Sequence, residues 1–157
     1  MLKENIFYLS FVPPSKANKV KINARTFTKS NKRYIVPKDV SLKINKAIWE
    51  LEIQNEEKNI KFNEPVEVDI LFILPTKRRR DLDNIMKTLG DCMTTAGIIE
   101  DDNLIYKQTL EKVYIPKKEG VIIKIKKYRK KKTDENLFKQ LEEFTESING
   151  SSDNTWK

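Results

Sequence analysis

From Val66 to Leu74 the side chains alternate, with Val66, Val68, Ile70 and Phe72 on one face and Glu67, Asp69, Leu71 and Ile73 on the other. A period of two is that of a β-strand, and the aliphatic pair at the end of the second face predicts that this face is at least partly covered. Pro65 opens the strand. Farther on the period changes: Leu82, Ile85, Met86, Leu89, Met93 and Ala96 recur at helical spacing, which predicts a helix over Leu82–Ala96 ended by Gly97. Lys38–Asn55 carries a similar stripe through Val40, Ile44, Ala47, Ile48, Leu51 and Ile53, with Asp39 or Ser41 as its cap. Ile6–Val12 is an apolar run stopped by Pro13-Pro14, a strand followed by a rigid turn. Leu104–Ile115 and Val121–Tyr128 read as strands joined by the turn PKKEG, most simply as an antiparallel hairpin.

The segment between the first strand and the first helix, SKANKVKINARTFTKSNKRYIV, is polar and basic and reads as an exposed loop or irregular hairpin. At the other end, Asp134–Ile148 predicts an amphipathic helix with Leu137, Phe138, Leu141, Phe144 and Ile148 inward, followed by a disordered NGSSDNTWK. The order is therefore β, loop, α, β, α, β, β. It predicts an α+β fold, a mixed β-sheet packed with two helices, plus a C-terminal amphipathic helix. Length suits one domain, placed at residues 1–130, with residues 131–157 as an extension.

Composition narrows the chemistry. There is no histidine, and the single cysteine, Cys92, can form neither an internal disulfide nor a thiolate zinc site. Zinc-histidine hydrolysis, serine-histidine triads and histidine acid/base catalysis are excluded, so a hydrolytic site must be built from Asp, Glu, Lys or Tyr. Carboxylate-held Mg2+ or Mn2+ is the natural candidate. No apolar run approaches the roughly 18 residues of a membrane span, and MLKENIFYLSF lacks the pattern of a secretory signal. The reading is an intracellular protein without a membrane partner.

The formal charge is +8, and its distribution matters more than its size. Residues 133–157 hold Lys139 and Lys157 against Asp134, Glu135, Glu142, Glu143, Glu146 and Asp153, a net of −4, which leaves +12 on residues 1–132. A basic body with an acidic tail suggests a polyanionic partner for the body.

The densest chemistry lies in KRRRDLDNIMKTLGDCMTTAGIIEDD, Lys77 to Asp102. Four cations, Lys77, Arg78, Arg79 and Arg80, abut two carboxylates, Asp81 and Asp83, where a strand gives way to a helix. Asp83, Lys87 and Asp91 share one flank of that helix, opposite the apolar stripe. Asp101 and Asp102 start the next strand, and if the two strands are neighbours, Asp81, Asp83 and Asp102 can converge at one rim. Converging carboxylates repel, and a divalent cation resolves the conflict while lowering the pKa of a bound water and stabilising a phosphodiester under attack. Lys87 adds positive charge where the transition state develops negative charge. The basic run suits neighbouring phosphates. Taken singly, each residue has a plainer account: Asp81 as an N-cap, Asp83 as a first-turn carboxylate, Lys87 as its i+4 partner, and the basic run as a solvated turn. Their coincidence beside the most basic run of the chain is what the plainer account leaves unexplained.

These residues resemble a known family. Arg-Arg-Arg-Asp-Leu-Asp-Asn at Arg78–Asn84, then Lys87, Asp91, Ala96-Gly97 and Asp101-Asp102, is similar to the signature of the RusA family of Holliday junction resolvases, and Pro13-Pro14-Ser15 with Asn18 matches its amino-terminal pattern. The resemblance covers roughly residues 5 to 128 and implies a homodimeric, Mg2+-dependent nuclease, in some cases phage- or prophage-encoded, that nicks two opposed strands of a four-way junction. It further implies Asp81, Asp83 and Asp102 as metal ligands and Lys87 as catalytic lysine. By the same resemblance Lys77–Arg80 and the turn Ser15, Lys16, Asn18 and Lys19 touch DNA, with Asn84, Asp91 and Asp101 as supporting neighbours. The chain departs from the pattern in Lys16–Lys21, which lacks the aromatic and arginine residues implied there, and from Lys130 onward it extends beyond the family core. Two alternatives stay open: a non-catalytic basic nucleic-acid-binding module, and a nuclease of the same fold acting on other branched DNA or on RNA.

Overall fold

The computed structural model describes residues 5–15, 21–22, 34–35, 37–130 and 135–150. Its elements are β1 (Asn5–Leu9), β2 (Lys21–Ile22), β3 (Tyr34–Ile35), α1 (Lys38–Lys58), β4 (Val66–Leu74), α2 (Leu82–Thr95), β5 (Ile105–Tyr114), β6 (Gly120–Lys127) and α3 (Glu135–Asn149). The fold is the expected α+β arrangement with a mixed sheet. Inside the segment expected as a loop or irregular hairpin, β2 and β3 pair antiparallel over two residues.

The sheet order is β1-β6-β4-β5, with β5 parallel to β4 and the other pairs antiparallel. β5 and β6 therefore do not form the hairpin expected from their short connection. Composition supplies the reason. β4 buries Val66, Val68, Ile70, Phe72 and Leu74, and a strand with so apolar a face belongs between two neighbours. β5 exposes Tyr106, Lys107, Gln108, Thr109, Glu111 and Lys112, the polar composition that suits an edge. The chain between them steps across the end of β4, where the Ile115 N–H donates to the Leu74 carbonyl at 3.0 Å.

One sheet face holds the core. Phe7 and Leu9 of β1, Val121, Ile123 and Ile125 of β6 and the buried row of β4 meet Ala47 and Leu51 of α1 and Ile85, Met86, Leu89, Cys92 and Met93 of α2. On the opposite face Leu71 and Ile73 are half-buried, whereas Tyr8, Asp69 and Lys124 are exposed. Glu67 sits there 3.8 Å from both Lys107 and Lys126. α1 also seals the free edge of β1: the Gln54 amide accepts from the Tyr8 N–H at 2.8 Å and donates to the Tyr8 carbonyl at 2.6 Å. One residue pair on, the Glu50 carboxylate accepts from the Ser10 N–H. These side chains stand in for a missing strand partner, and β1 ends at Leu9 rather than Val12.

Neither Asp39 nor Ser41 caps α1; Pro37 occupies that position without a side-chain cap, its carbonyl accepting from the Val40 and Ser41 N–H groups. The helix runs past Asn55 to Lys58. There Asn59 turns left-handed at φ 50°, and the Asn55 amide brackets Ile60 through two 2.9 Å hydrogen bonds. α3 forms where expected, but Leu137, Phe138, Leu141, Phe144 and Ile148 are exposed rather than inward. The core beneath α1 and α2 is filled without this stripe. The tail from Ser151 lies outside those residues. No described helix is long and apolar enough to cross a membrane.

Candidate active site

After Leu74 the chain leaves the sheet through Pro75 and Thr76 and carries Lys77, Arg78, Arg79 and Arg80 in irregular backbone to the start of α2. Asp81 is the N-cap. Its Oδ1 accepts from the Asp83 N–H at 3.2 Å and its Oδ2 from the Asn84 side-chain amide at 3.0 Å. A carboxylate there satisfies one of the free N–H groups that begin a helix and faces the positive end of the helix dipole, so the site's first acid is held by the fold itself. Asp83 lies in the first turn and Lys87 one turn on, both exposed. The opposite flank of α2 is pinned by buried residues, among them Ile85, Leu89 and Cys92, which fixes the direction in which Asp83 and Lys87 project.

The third acid reaches α2 by another route. Gly97 takes φ 80° after the helix, and the chain then buries Ile98 and Ile99 completely. Phe62 holds this stretch in a parallel bridge, donating to the Ile98 carbonyl at 2.8 Å and accepting from the Glu100 N–H at 2.9 Å. Asp101 then caps a single 3-10 turn, accepting from the Asn103 N–H at 3.0 Å, and Asp102 opens that turn. A Cβ built on Gly90 would lie 3.4 Å from the Asp102 Cβ and 3.7 Å from its Oδ2, so Asp102 sits against the middle of α2. Gly90 is two turns beyond Asp83, about 10 Å along the helix axis.

β4 and β5 are neighbours as the sequence reading required, but parallel pairing puts the start of β5 beside the start of β4, away from Asp81. Asp102 therefore approaches along the flank of α2 and not at a shared strand rim. Among the described residues no three Asp, Glu or Cys side chains are gathered closely enough to hold one metal ion.

Electrostatics around Asp102 are those of crowded acids. When protonated it donates to the neighbouring Asp101 carboxylate, and that bond holds its carboxyl above the ordinary range; slight desolvation and the negative charges of Asp101 and Asp91 push the same way. Asp101 is held below the ordinary range, first by the Asn103 backbone N–H and then by the bond from Asp102.

Asp81 also borders a cleft of about 580 Å³. Arg78, Arg79 and Arg80 form one wall, Phe11, Pro14 and Ser15 after β1 another, and Lys43 and Lys46 of α1 a third. Ser15 lines the same cleft as the arginine run, while Lys16, Asn18 and Lys19 lie outside the described residues. Lys77 is turned aside, its Nζ 5.5 Å from the Tyr114 ring centroid. Sequence reasoning missed Lys43, Lys46 and Phe11. The two lysines sit on the polar face of α1 and read as solvated charges; only the packing of α1 beside the loops brings them to the site.

A family profile described as Endodeoxyribonuclease RusA matches residues 12–126, which takes in every element from α1 to β6 apart from the last residue of β6, together with both acid-bearing segments. The Crossover junction endodeoxyribonuclease RusA of Aquifex aeolicus (strain VF5) is 38% identical over 128 residues, covering 82% of this chain and 95% of that protein. The profile match leaves β1 and α3 outside it, and the chain belongs to the RusA family of endodeoxyribonucleases.

Proposed function

We propose that this RusA-family endonuclease resolves four-way DNA junctions with a divalent cation, Mg2+ or Mn2+, held by Asp81, Asp83 and Asp102. The observation that carries the reading is one loop-helix unit in which Asp81 and Asp83 adjoin Arg78, Arg79 and Arg80 at the edge of a cationic cleft. The donor set fits such an ion. All three groups are carboxylates, the hard oxygen ligands that magnesium and manganese prefer, the chain has no histidine, and Cys92 is buried in the core. The three are not gathered around one point as they stand, so sharing one ion would require Asp102 to move from its place against Gly90 toward Asp83. When bound, the cation supplies charge neutralisation and an acidified water for phosphodiester hydrolysis.

The chain's own residues do the rest. Arg78–Arg80 grip phosphates next to the cut, with bidentate geometry that lysine lacks. Lys87, one turn from Asp83, meets the negative charge that grows on the phosphate oxygens. Asn84 keeps Asp81 oriented through its 3.0 Å hydrogen bond. Asp91 and Asp101 set the charge around Asp102. Resolution needs two nicks on opposed strands, and a homodimer related by a two-fold axis supplies one site for each. Cleavage of a labelled four-way junction, beside duplex and flap controls and with or without Mg2+, tests the reading. Paired, metal-dependent cuts at the crossover are expected. Preferential cutting of flaps, or binding without cutting in Mg2+ and in Mn2+, overturns it. Light scattering that finds a monomer of 18.5 kDa retaining junction cleavage removes the dimer.

A further inference from the structure

The cleft beside Asp81 gathers positive charge from two separate elements: Lys43 and Lys46 from α1, and Arg78, Arg79 and Arg80 from the loop after β4. Among the described residues none of these five makes an ion pair with Asp or Glu. The nearby carboxylate of Glu119 is already engaged, accepting from the Val12 N–H at 3.1 Å. Lys46 instead holds its Nζ 5.0 Å from the centroid of the Phe11 ring, a half-buried aromatic on the same cleft. Five cations against two carboxylates, Asp81 and Glu119, leave the cleft net positive, a surface suited to an anion. An aromatic face among them suits one that also carries a flat ring. A strand of nucleic acid has both features at regular spacing, phosphate and base, and a cavity of this size accommodates a unit of it.

We propose that Lys43, Lys46 and Phe11 form a nucleotide subsite that holds the DNA strand next to the phosphodiester cut at Asp81 and Asp83. The two lysines contact successive phosphates, and Phe11 takes the face of a base or sugar once Lys46 turns from the ring to the backbone. α1 thereby adds a second source of phosphate contacts to that of the arginines along the DNA path. This rests on the endonuclease reading above.

The test measures junction affinity of the full chain by fluorescence anisotropy across a salt series, without divalent metal, for wild type, Lys43→Ala/Lys46→Ala, Phe11→Leu, and a control pair outside the cleft, Lys130→Ala/Lys139→Ala. The cleft pair is expected to lower the slope of log K against log salt by about 1.8, two phosphate contacts at about 0.9 each, with the control pair leaving the slope near wild type. Phe11→Leu is expected to keep the slope and weaken binding about fivefold or more, as loss of a base on an aromatic platform does. An unchanged slope in the cleft pair, or an equal fall in the control pair, overturns the subsite while leaving junction cleavage by the wild type as separate support for the endonuclease. Phe11→Leu at wild-type affinity removes the ring from it. A wild-type chain that neither binds nor cuts junctions overturns both.

Discussion

Replacing Asp81 by asparagine and by alanine separates its structural duty from its chemical one. Its two oxygens receive the Asp83 N–H at 3.2 Å and the Asn84 amide at 3.0 Å, so the side chain closes the first turn of α2. Asparagine caps helices about as well as aspartate: its Oδ1 accepts the same N–H, and rotation of the Asn84 amide offers its oxygen to the new Nδ2. What remains lost is one charge at the dipole's positive end, worth about 0.3–1 kcal/mol at an exposed site. Alanine loses the cap as well, about 1 kcal/mol more. For a chain of this size about 1 kcal/mol moves the melting temperature by roughly 2–4 °C. Asp81→Asn is therefore expected to melt within about 3 °C of wild type, with Asp81→Ala several degrees lower. Chemistry should not follow that order. Both variants remove a carboxylate assigned to the metal, and single-turnover junction cleavage in Mg2+ should fall about 100-fold or more in each. Melting by circular dichroism and cleavage on the same preparations read the two duties side by side. If Asp81→Asn cuts at the wild-type rate, Asp81 is a helix cap and nothing more. If the two variants melt alike, the capping argument is wrong.

Asp83→Asn should also lose cleavage by orders of magnitude while junction affinity holds or rises, because a negative charge near phosphates is gone; Lys87→Ala should keep metal binding, read by calorimetry, and slow the nick. Arg79→Ala should weaken binding and lower its salt slope by about 0.9, with metal binding by calorimetry unchanged. A chain ending at Arg129 removes a helix with no buried residue, so its melting temperature should stay within about 2 °C and cleavage should persist; collapse of the fold would make α3 part of the core. Gly120→Ala places a Cβ 2.9 Å from the Leu9 carbonyl oxygen at the β1–β6 pairing, and thermal melts should show a loss of about 1–3 kcal/mol.

What the sequence revealed and what it hid follow one physical division. Periodicity is a local signal, and it placed β4, α2 and α3 within a residue or so of their observed limits because burial on one face imposes it. Partner choice is not local. The PKKEG connection is short enough for a hairpin, yet β4 lies between β5 and β6 because the most apolar strand gains most from a central place. The cap of α1 was hidden for a related reason: Pro37 starts the helix through backbone preference, without the polar side chain that a cap search looks for. Acids and arginines at the start of α2 were legible because they are close in sequence. Lys43 and Lys46 were not, since they are more than thirty residues from Arg78 and meet it only after α1 folds against α2.

That topology also determines how the site can work. With β5 parallel to β4, the chain must run the length of α2 and return before Asp102 appears, so the third acid meets the helix at Gly90 and leaves Lys87 exposed between it and Asp83. Asp83 and Lys87 are thus carried by the flank of one helix whose other flank is buried, with Asp102 laid against that same flank, a rigid support for the groups assigned to the phosphate. The cations we assign to DNA come from elsewhere, the loop after β4 and the face of α1. Substitutions on α1 can change grip without moving the carboxylates, and substitutions on the α2 flank can change chemistry without moving the cleft. A single variant on either element that altered both the salt slope of binding and the rate constant of the nick would show that the two are coupled through the helix contact, against the division of labour argued from their placement.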